Sequence, residues 1–218
     1  MPIPLGIGHV ELSGTVGVMA DSHGEADAIE SGIETLLARG CTRILHLGDI
    51  CDSGKPLTVD RCVGILSRNG VVSLKGNNDY IVLINNAGKG HSPIPAPALE
   101  YLKALPCLLI SGTAAFTHSL PFVKEMGASS MARGLEGEGV RYIFYATPHS
   151  VLFRGHSHTP EVFHLRDGRV VRRALKAGRP FTLDVSARYV VTCGALSEGY
   201  CLVWDKNSSS VELCAIGR

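Results

Sequence analysis

Residues 153–160 read FRGHSHTP, with two imidazoles, His156 and His158, one serine apart behind a glycine. Neighbouring exposed histidines serve packing poorly and metal ligation well. Two imidazoles do not fill a coordination sphere, so the pair calls for donors elsewhere in the chain. Four other short polar stretches offer them. ADSHG carries Asp21 and His23, and GDICD carries Asp49 and Asp52. GNND carries Asn77, Asn78 and Asp79, and THSLP carries His118.

Taken together, Asp21, His23, Asp49, Asn77, His118, His156 and His158 offer hard oxygen and imidazole nitrogen without a thiolate. That mixture suits manganese, iron or zinc rather than an iron–sulfur cluster or a structural cysteine site. Seven side chains exceed the needs of one tetrahedral ion and suit two ions sharing a carboxylate. Each fragment also has a plainer role. Asp-x-His after a strand caps helices, Gly-Asp and Gly-Asn-Asn-Asp form polar turns, and a lone histidine after an apolar strand is often a satisfied core group. What the fragments share is a position at the end of an apolar run.

Those runs define the elements that must position the site. TVGVMA (15–20), TRILHL (42–47) and VVSLKG (71–76) read as buried strands. Between them, Ile29, Ile33, Leu36 and Leu37 mark one helix, and Val59, Cys62, Val63 and Leu66 mark another. This βαβαβ order implies neighbouring parallel strands, whose carboxyl ends are where ligands bind in open sheets. From residue 80 to about 98 the pattern weakens, and NNAGKGHSPIPAPA (85–98), rich in Gly, Pro and Asn, reads as a long surface loop, followed by a short helix at 97–104. Strands follow at LLIS, AAFT, SVLFRG, FTLDV, RYVVTCG, GYCLVW and VELCAI, with a hairpin around Asp167-Gly168. An α/β half joined to a β-rich half suggests two packed sheets with helices outside. One domain over 1–218 is expected, with a division near residue 110 as the alternative. The glycines before Asp49, Asn77 and His156 allow close backbone approach at the strand ends.

Composition narrows the class. The chain has 218 residues, 45% hydrophobic, enough for one sizeable core. Its 21 basic and 20 acidic residues give a formal charge of +1, so no specific nucleic-acid or membrane binding is expected. No run approaches the ~18 apolar residues of a membrane span, and the N-terminus lacks the pattern of a signal peptide. Seven cysteines without a C-x-x-C spacing read as free thiols, and a cytoplasmic location is expected. Homo-oligomerisation stays open.

In that order, D-x-H, G-D, G-N-x-D, a lone His and G-H-x-H resemble the calcineurin-like metallophosphoesterase superfamily, and most nearly its small bacterial and archaeal phosphodiesterase branch. The resemblance runs from about residue 15 to 195. It implies a four-layer α/β/β/α sandwich of two mixed sheets with flanking helices. It implies two divalent transition-metal ions, with manganese favoured over iron, nickel or zinc. Carried over by position, Asp21, His23 and His158 would hold one ion, Asn77, His118 and His156 the other, and Asp49 would bridge them. The i, i+2 histidines would then serve different ions, in an extended segment that points both side chains the same way.

The implied activity is hydrolysis of a small phosphate ester, a diester in this branch, with a metal-bridging hydroxide as nucleophile. Asp49, Asn77, Asn78 and His118 would be the catalytic set. One departure matters. Phosphatase branches have histidine where this chain has Asn78, and an amide cannot act as a general acid. Activated aryl diesters are therefore the expected substrates, and a nucleotide or protein phosphomonoesterase is the alternative. His91 and His149 are candidate substitutes for the missing acid, although each also reads as a solvated loop histidine. A non-catalytic scaffold has no use for seven retained donors. Asp52 and Asp79 are expected to orient ligands or turns, His46 to be structural, and the basic run at 169–179 to be a solvated hairpin edge.

Overall fold

The computed structural model describes residues 6–120 and 138–217. In chain order the elements are β1 (Ile7–His9), β2 (Thr15–Met19), α1 (Ala26–Ala38), β3 (Arg43–His46), α2 (Val59–Arg68), β4 (Val72–Ser73), α3 (Asn77–Asn86), α4 (Ala96–Ala104), β5 (Leu108–Ser111) and β6 (Ala114–Thr117). They continue as α5 (Glu138–Ala146), β7 (Val151–Arg154), β8 (Glu161–Arg166), β9 (Arg169–Ala174), β10 (Phe181–Thr182), β11 (Arg188–Thr192), β12 (Tyr200–Asp205) and β13 (Ser210–Ala215). Residues 1–5, and the Pro121-Phe122 end of the THSLPF stretch, lie outside the described residues.

The short β-branched runs pair into two sheets. One has seven strands, in the order β1-β5-β6-β7-β11-β8-β9, and the other six, in the order β10-β13-β12-β2-β3-β4. As expected, β2, β3 and β4 are parallel neighbours. On the other sheet β6, β7 and β11 are parallel as well. The inner faces meet in one apolar layer that includes Val16, Val18 and Leu45 from the first half and Phe116, Phe153, Val191 and Trp204 from the second. Trp204 packs its ring 4.8 Å from Phe153 and 5.9 Å from Phe116, bridging the sheets. Burying such rings is worth roughly 1.5–3 kcal/mol each.

Helices cover the outer faces. The residues Ala26, Ile29, Ile33 and Leu36 of α1 and Val59, Cys62, Val63 and Leu66 of α2 are buried over the six-stranded sheet. Val140, Ile143 and Phe144, the i, i+3, i+4 stripe of α5, cover the seven-stranded sheet. The result is the expected α/β/β/α layering. All seven cysteines are buried and unbridged, as small core hydrophobes. No helix among the described residues is long and apolar enough to cross a membrane.

Several expectations need correction. Residues 77–86 form helix α3, where the sequence shows a polar turn, then a weakened pattern from 80 and a loop from 85; the irregular stretch is 87–95. The run NNDYIVLINN has weak helix formers and a contiguous apolar block, which hides the 3.6-residue period. Capping starts the helix: Asp79 Oδ2 accepts the Gly76 N–H at 2.8 Å. Leu37 is not on the buried stripe of α1; it is 55% exposed. The short strand β1 and helix α5 have no counterpart among the sequence-based elements.

Candidate metal centre

The polar loops converge at the carboxyl ends of β2, β3, β4, β6 and β7. They form two groups of donors: Asp21, His23 and His158, and Asp49, His118 and His156, with the ligand atoms in each within 4.8 Å of one another. Asn77 joins the second, its Oδ1 lying 3.0 Å from His118 Nε2. All seven residues expected at the site are thus brought together.

The chain reaches this arrangement by unusual backbone geometry. Among the described residues seven non-glycines have positive φ, and five of them are Asp21, His23, Asp49, His156 and His158. Concentrated left-handed conformation at one place is a mark of functional sites. It also corrects the picture of the Gly-His-Ser-His segment. With φ of +71° at His156 and +56° at His158, the segment is a tight turn, not an extended strand, and its two rings go to different donor groups. Two glycines let the loops close. A Cβ on Gly76 would stand 2.1 Å from the Asp49 amide nitrogen, and one on Gly155 would stand 2.7 Å from Asp21 Oδ2.

Hydrogen bonds aim each donor. Asp21 Oδ2 accepts the His156 backbone N–H at 2.9 Å, while buried Asp21 Oδ1 has no hydrogen-bond partner. The backbone N–H of Asn78 donates to Asp49 Oδ1 at 2.7 Å and its side-chain amide to Asp49 Oδ2 at 2.8 Å. Ser53 Oγ donates to Asn78 Oδ1 at 3.2 Å, which fixes the amide so that nitrogen faces the carboxylate. Asn78 is therefore turned onto Asp49. His118 Nδ1 donates to the Leu47 carbonyl at 2.8 Å, so its Nε2 faces inward, 3.4 Å from Asp49 Oδ1. His158 Nδ1 lies 2.9 Å from Glu198 Oε1, and its Nε2 lies 3.1 Å from His23 Nε2.

The electrostatics follow from burial. Desolvation pushes the Asp21 carboxyl above its ordinary range, and Asp49 adds to this against His118 and His158. Burial acts the same way on Asp49, but His118 and the Asn78 hydrogen bonds outweigh it and hold that carboxyl well below the usual value. Burial opposes charging of His118, yet Asp49, Asp21 and the Leu47 carbonyl raise it to about 9. Asp79 is raised to about 6, by burial and then by Asp49.

The spacing in the first group matches that of ligands on a divalent cation. Two imidazole nitrogens on one tetrahedral ion stand ~3.3 Å apart for bonds of 2.0–2.1 Å, close to the His23–His158 separation. The partnerless Asp21 Oδ1 lies 3.7 Å from His158 Nε2 and supplies the third donor. Buried carboxylates of like charge call for positive charge between them.

The other expected residues have structural places. Asp79 accepts the N–H groups of Gly76 and Cys51, tying together the turns that present Asn77 and Asp49. Asp52 accepts the Gly54 N–H and pairs with Lys55, as a turn carboxylate does. His46 is wholly buried: its Nδ1 accepts the Gly48 N–H and its Nε2–H donates to Ser22 Oγ at 3.0 Å. His149 precedes β7, at the opposite end of the strand from His156, so it is no substitute acid. His91 is exposed between α3 and α4. The 169–179 run begins with edge strand β9, where Arg172 pairs with Glu161.

Three contributors carry no motif. They are Glu198, Ser53 and buried Arg154, whose Nε donates to the Ser119 carbonyl and so links the end of β7 to the loop carrying His118. A carboxylate one residue before Gly199 and a serine after Asp52 are ordinary turn residues in sequence, and only folding shows their reach.

The sequence profile of the calcineurin-like phosphoesterase superfamily domain matches residues 15–173, and the chain belongs to that family. It is 24% identical to the uncharacterized protein MJ0912 of Methanocaldococcus jannaschii over 221 residues, covering 92% of this chain and 86% of that protein. Its fold is similar to that of a metallophosphoesterase from Sphaerobacter thermophilus, with a TM-score of 0.74 at 19% identity, covering 94% of this chain and 89% of the other. Protein PH1004 of Pyrococcus horikoshii OT3 is similar with a TM-score of 0.63 at 16% identity, covering 93% of this chain and 87% of the other. Family membership makes the chain a metal-dependent phosphoester hydrolase.

Proposed function

We propose that the chain is a single-domain phosphodiesterase working with two divalent cations. In this reading Asp21, His23 and His158 hold one ion, Asn77, His118 and His156 hold the other, and Asp49 is shared. The observation that carries it is the place of the Asp49 carboxylate, whose Oδ2 lies 4.0 Å from His23 Nε2 and whose Oδ1 lies 3.4 Å from His118 Nε2. Each oxygen faces a different donor group. The single apolar layer that joins Val16, Val18 and Leu45 to Phe116, Phe153 and Trp204 supports one domain across both halves.

When bound, such ions supply charge that makes a water nucleophilic near neutral pH and draws charge from the phosphoryl oxygens. The donor set of carboxylate, amide oxygen and imidazole favours manganese, with iron, nickel or zinc also accommodated. The chain's own contribution is positioning. Asn78 holds both Asp49 oxygens, and the Leu47 carbonyl holds His118 through Nδ1 so that Nε2 faces inward. Asp79 clamps the two turns.

The diester preference rests on Asn78. Its amide is engaged with Asp49 and has no proton to give a leaving alkoxide. The lack of a general acid costs ~10²–10⁴-fold on poor leaving groups, so esters whose leaving group departs as a stable anion, such as aryl diesters, are turned over best.

The test uses chelator-stripped protein reloaded with Mn²⁺, Fe²⁺, Ni²⁺, Zn²⁺ or Mg²⁺, assayed on bis-para-nitrophenyl phosphate and on the matching monoester. Metal-restored hydrolysis with the diester ahead is expected. Asp49→Ala should abolish both metal binding and turnover while leaving the circular dichroism spectrum unchanged. Undiminished turnover by Asp49→Ala would refute the shared carboxylate.

A further inference from the structure

After β11 the chain makes a single 3-10 turn, Leu196–Glu198, and places a carboxylate at the rim of the donor cluster. We propose that Glu198 is a positioning residue that fixes the tautomer and direction of the His158 ring, so that Nε2 is offered to the cation shared with Asp21 and His23. The inference rests on the two-cation reading above.

The chemistry follows from one contact. An ionised carboxylate only accepts hydrogen bonds. Glu198 Oε1 at 2.9 Å from His158 Nδ1 therefore calls for a proton on Nδ1, and in the neutral, metal-binding form of the ring this leaves the lone pair on Nε2. That lone pair faces the donors of the first group: His23 Nε2 is 3.1 Å away and Asp21 Oδ1 is 3.7 Å away. Without the carboxylate the ring is free to carry its proton on Nε2, which blocks the ligand atom.

The turn is stitched to the strand end that presents Asp21. The Leu196 N–H donates to the Ala20 carbonyl at 2.9 Å and the Ser197 N–H to the Asp21 carbonyl at 3.2 Å. Gly199, with φ of +89°, closes the turn and sends the chain into β12. Glu198 and Asp21 thus approach His158 from one rigid unit. The pair is half-exposed, with side-chain exposures of 32% for His158 and 52% for Glu198. An ion pair so open to water adds little to folding. Loss of orientation and loss of stability can therefore be told apart.

The experiment compares Glu198→Ala and Glu198→Gln with the wild-type full chain. Mn²⁺ binding to the chelator-stripped proteins is measured by calorimetry, the melting temperature is measured, and long-range ¹H–¹⁵N spectra report which His158 nitrogen carries the proton. Glu198→Ala is expected to bind one of two Mn²⁺ ions about 10–100-fold more weakly, to move the His158 proton toward Nε2, and to melt near the wild type. Glu198→Gln should recover part of the affinity, because its carboxamide oxygen still accepts from Nδ1. An unchanged tautomer in Glu198→Ala, or unchanged affinity for both ions, overturns the proposal. A wild-type protein that binds no divalent ion refutes the two-cation reading instead, and the tautomer measurement still decides whether Glu198 directs the ring.

Discussion

Gly76→Ala is the sharpest test of how the centre is assembled. Gly76 has ordinary dihedrals, φ −96° and ψ 178°, so alanine there meets no backbone penalty of its own. The obstacle is steric. A Cβ would stand 2.1 Å from Asp49 N, 2.2 Å from Asp49 Oδ1 and 2.9 Å from Asp49 Cα. Unstrained contacts involving carbon are about 3.5–4.0 Å, so the two turns must part by more than ~1 Å. These atoms are backbone and a pinned carboxylate, and no flexible side-chain end is available to yield. Separation breaks the 2.7 Å bond from Asn78 N–H to Asp49 Oδ1 and moves the carboxylate away from His118. Overpacking of this kind costs about 1–3 kcal/mol, or ~2–12 °C of melting temperature in a chain of this size. Coordination tolerates only ~0.2 Å of ligand error, so Mn²⁺ affinity is expected to fall at least ~100-fold. Calorimetric melting of metal-free protein and Mn²⁺ titration read both effects. The control is Gly139→Ala in α5, where a Cβ meets nothing within 4 Å and helix propensity favours alanine. Gly76→Ala with wild-type melting and wild-type Mn²⁺ affinity would refute the close apposition of the Asp49 and Asn77 turns.

Two further perturbations probe other parts of the same assembly. His46 is buried as the neutral ring and its pKa is pushed down to about 3 by desolvation, so its stabilising contribution is complete above the unfolded value near 6.5 and is lost as pH falls toward 3. Between pH 7 and 5 this residue accounts for about 2 kcal/mol; urea unfolding of metal-free His46→Asn should show a correspondingly flatter acid limb, and equal slopes would refute the buried neutral ring. Asn78→His introduces a group able to protonate a leaving oxygen while removing the amide that braces Asp49 Oδ2. The monoester-to-diester rate ratio should rise and Mn²⁺ affinity should fall, as steady-state kinetics and calorimetry would show; an unchanged ratio would place leaving-group protonation elsewhere.

The parts of this molecule that sequence reveals are those with a local physical cause. β-Branched runs such as TVGVM and RILH form buried strands wherever they lie, and a carboxylate or imidazole just past such a run has to sit at the sheet end. Seven donors were legible in this way. Helix α3 was not, because its start depends on Asp79 reaching back to Gly76 and across to Cys51, 28 residues away. Periodicity places Leu37 in the core, yet α1 covers the sheet with its Ile29–Ile33–Leu36 stripe. The Gly-His-Ser-His backbone reads as extended in sequence, because positive φ in histidine is set by the loop that holds it. Glu198 and Ser53 act through contacts 40 and 25 residues away in sequence, and no spacing rule announces them.

The left-handed turns at Asp21, His23, Asp49, His156 and His158 carry a lasting consequence. Folding the bare polypeptide bends these positions uphill by about 1 kcal/mol each, against a total margin of ~5–15 kcal/mol. Glycine at any one of them would relax the loop and delete a donor in a single step. A descendant freed from selection for hydrolysis would therefore drift toward a sturdier, inert molecule, and the drift would begin at these dihedral angles. Catalysis and robustness compete here within the same few peptide units.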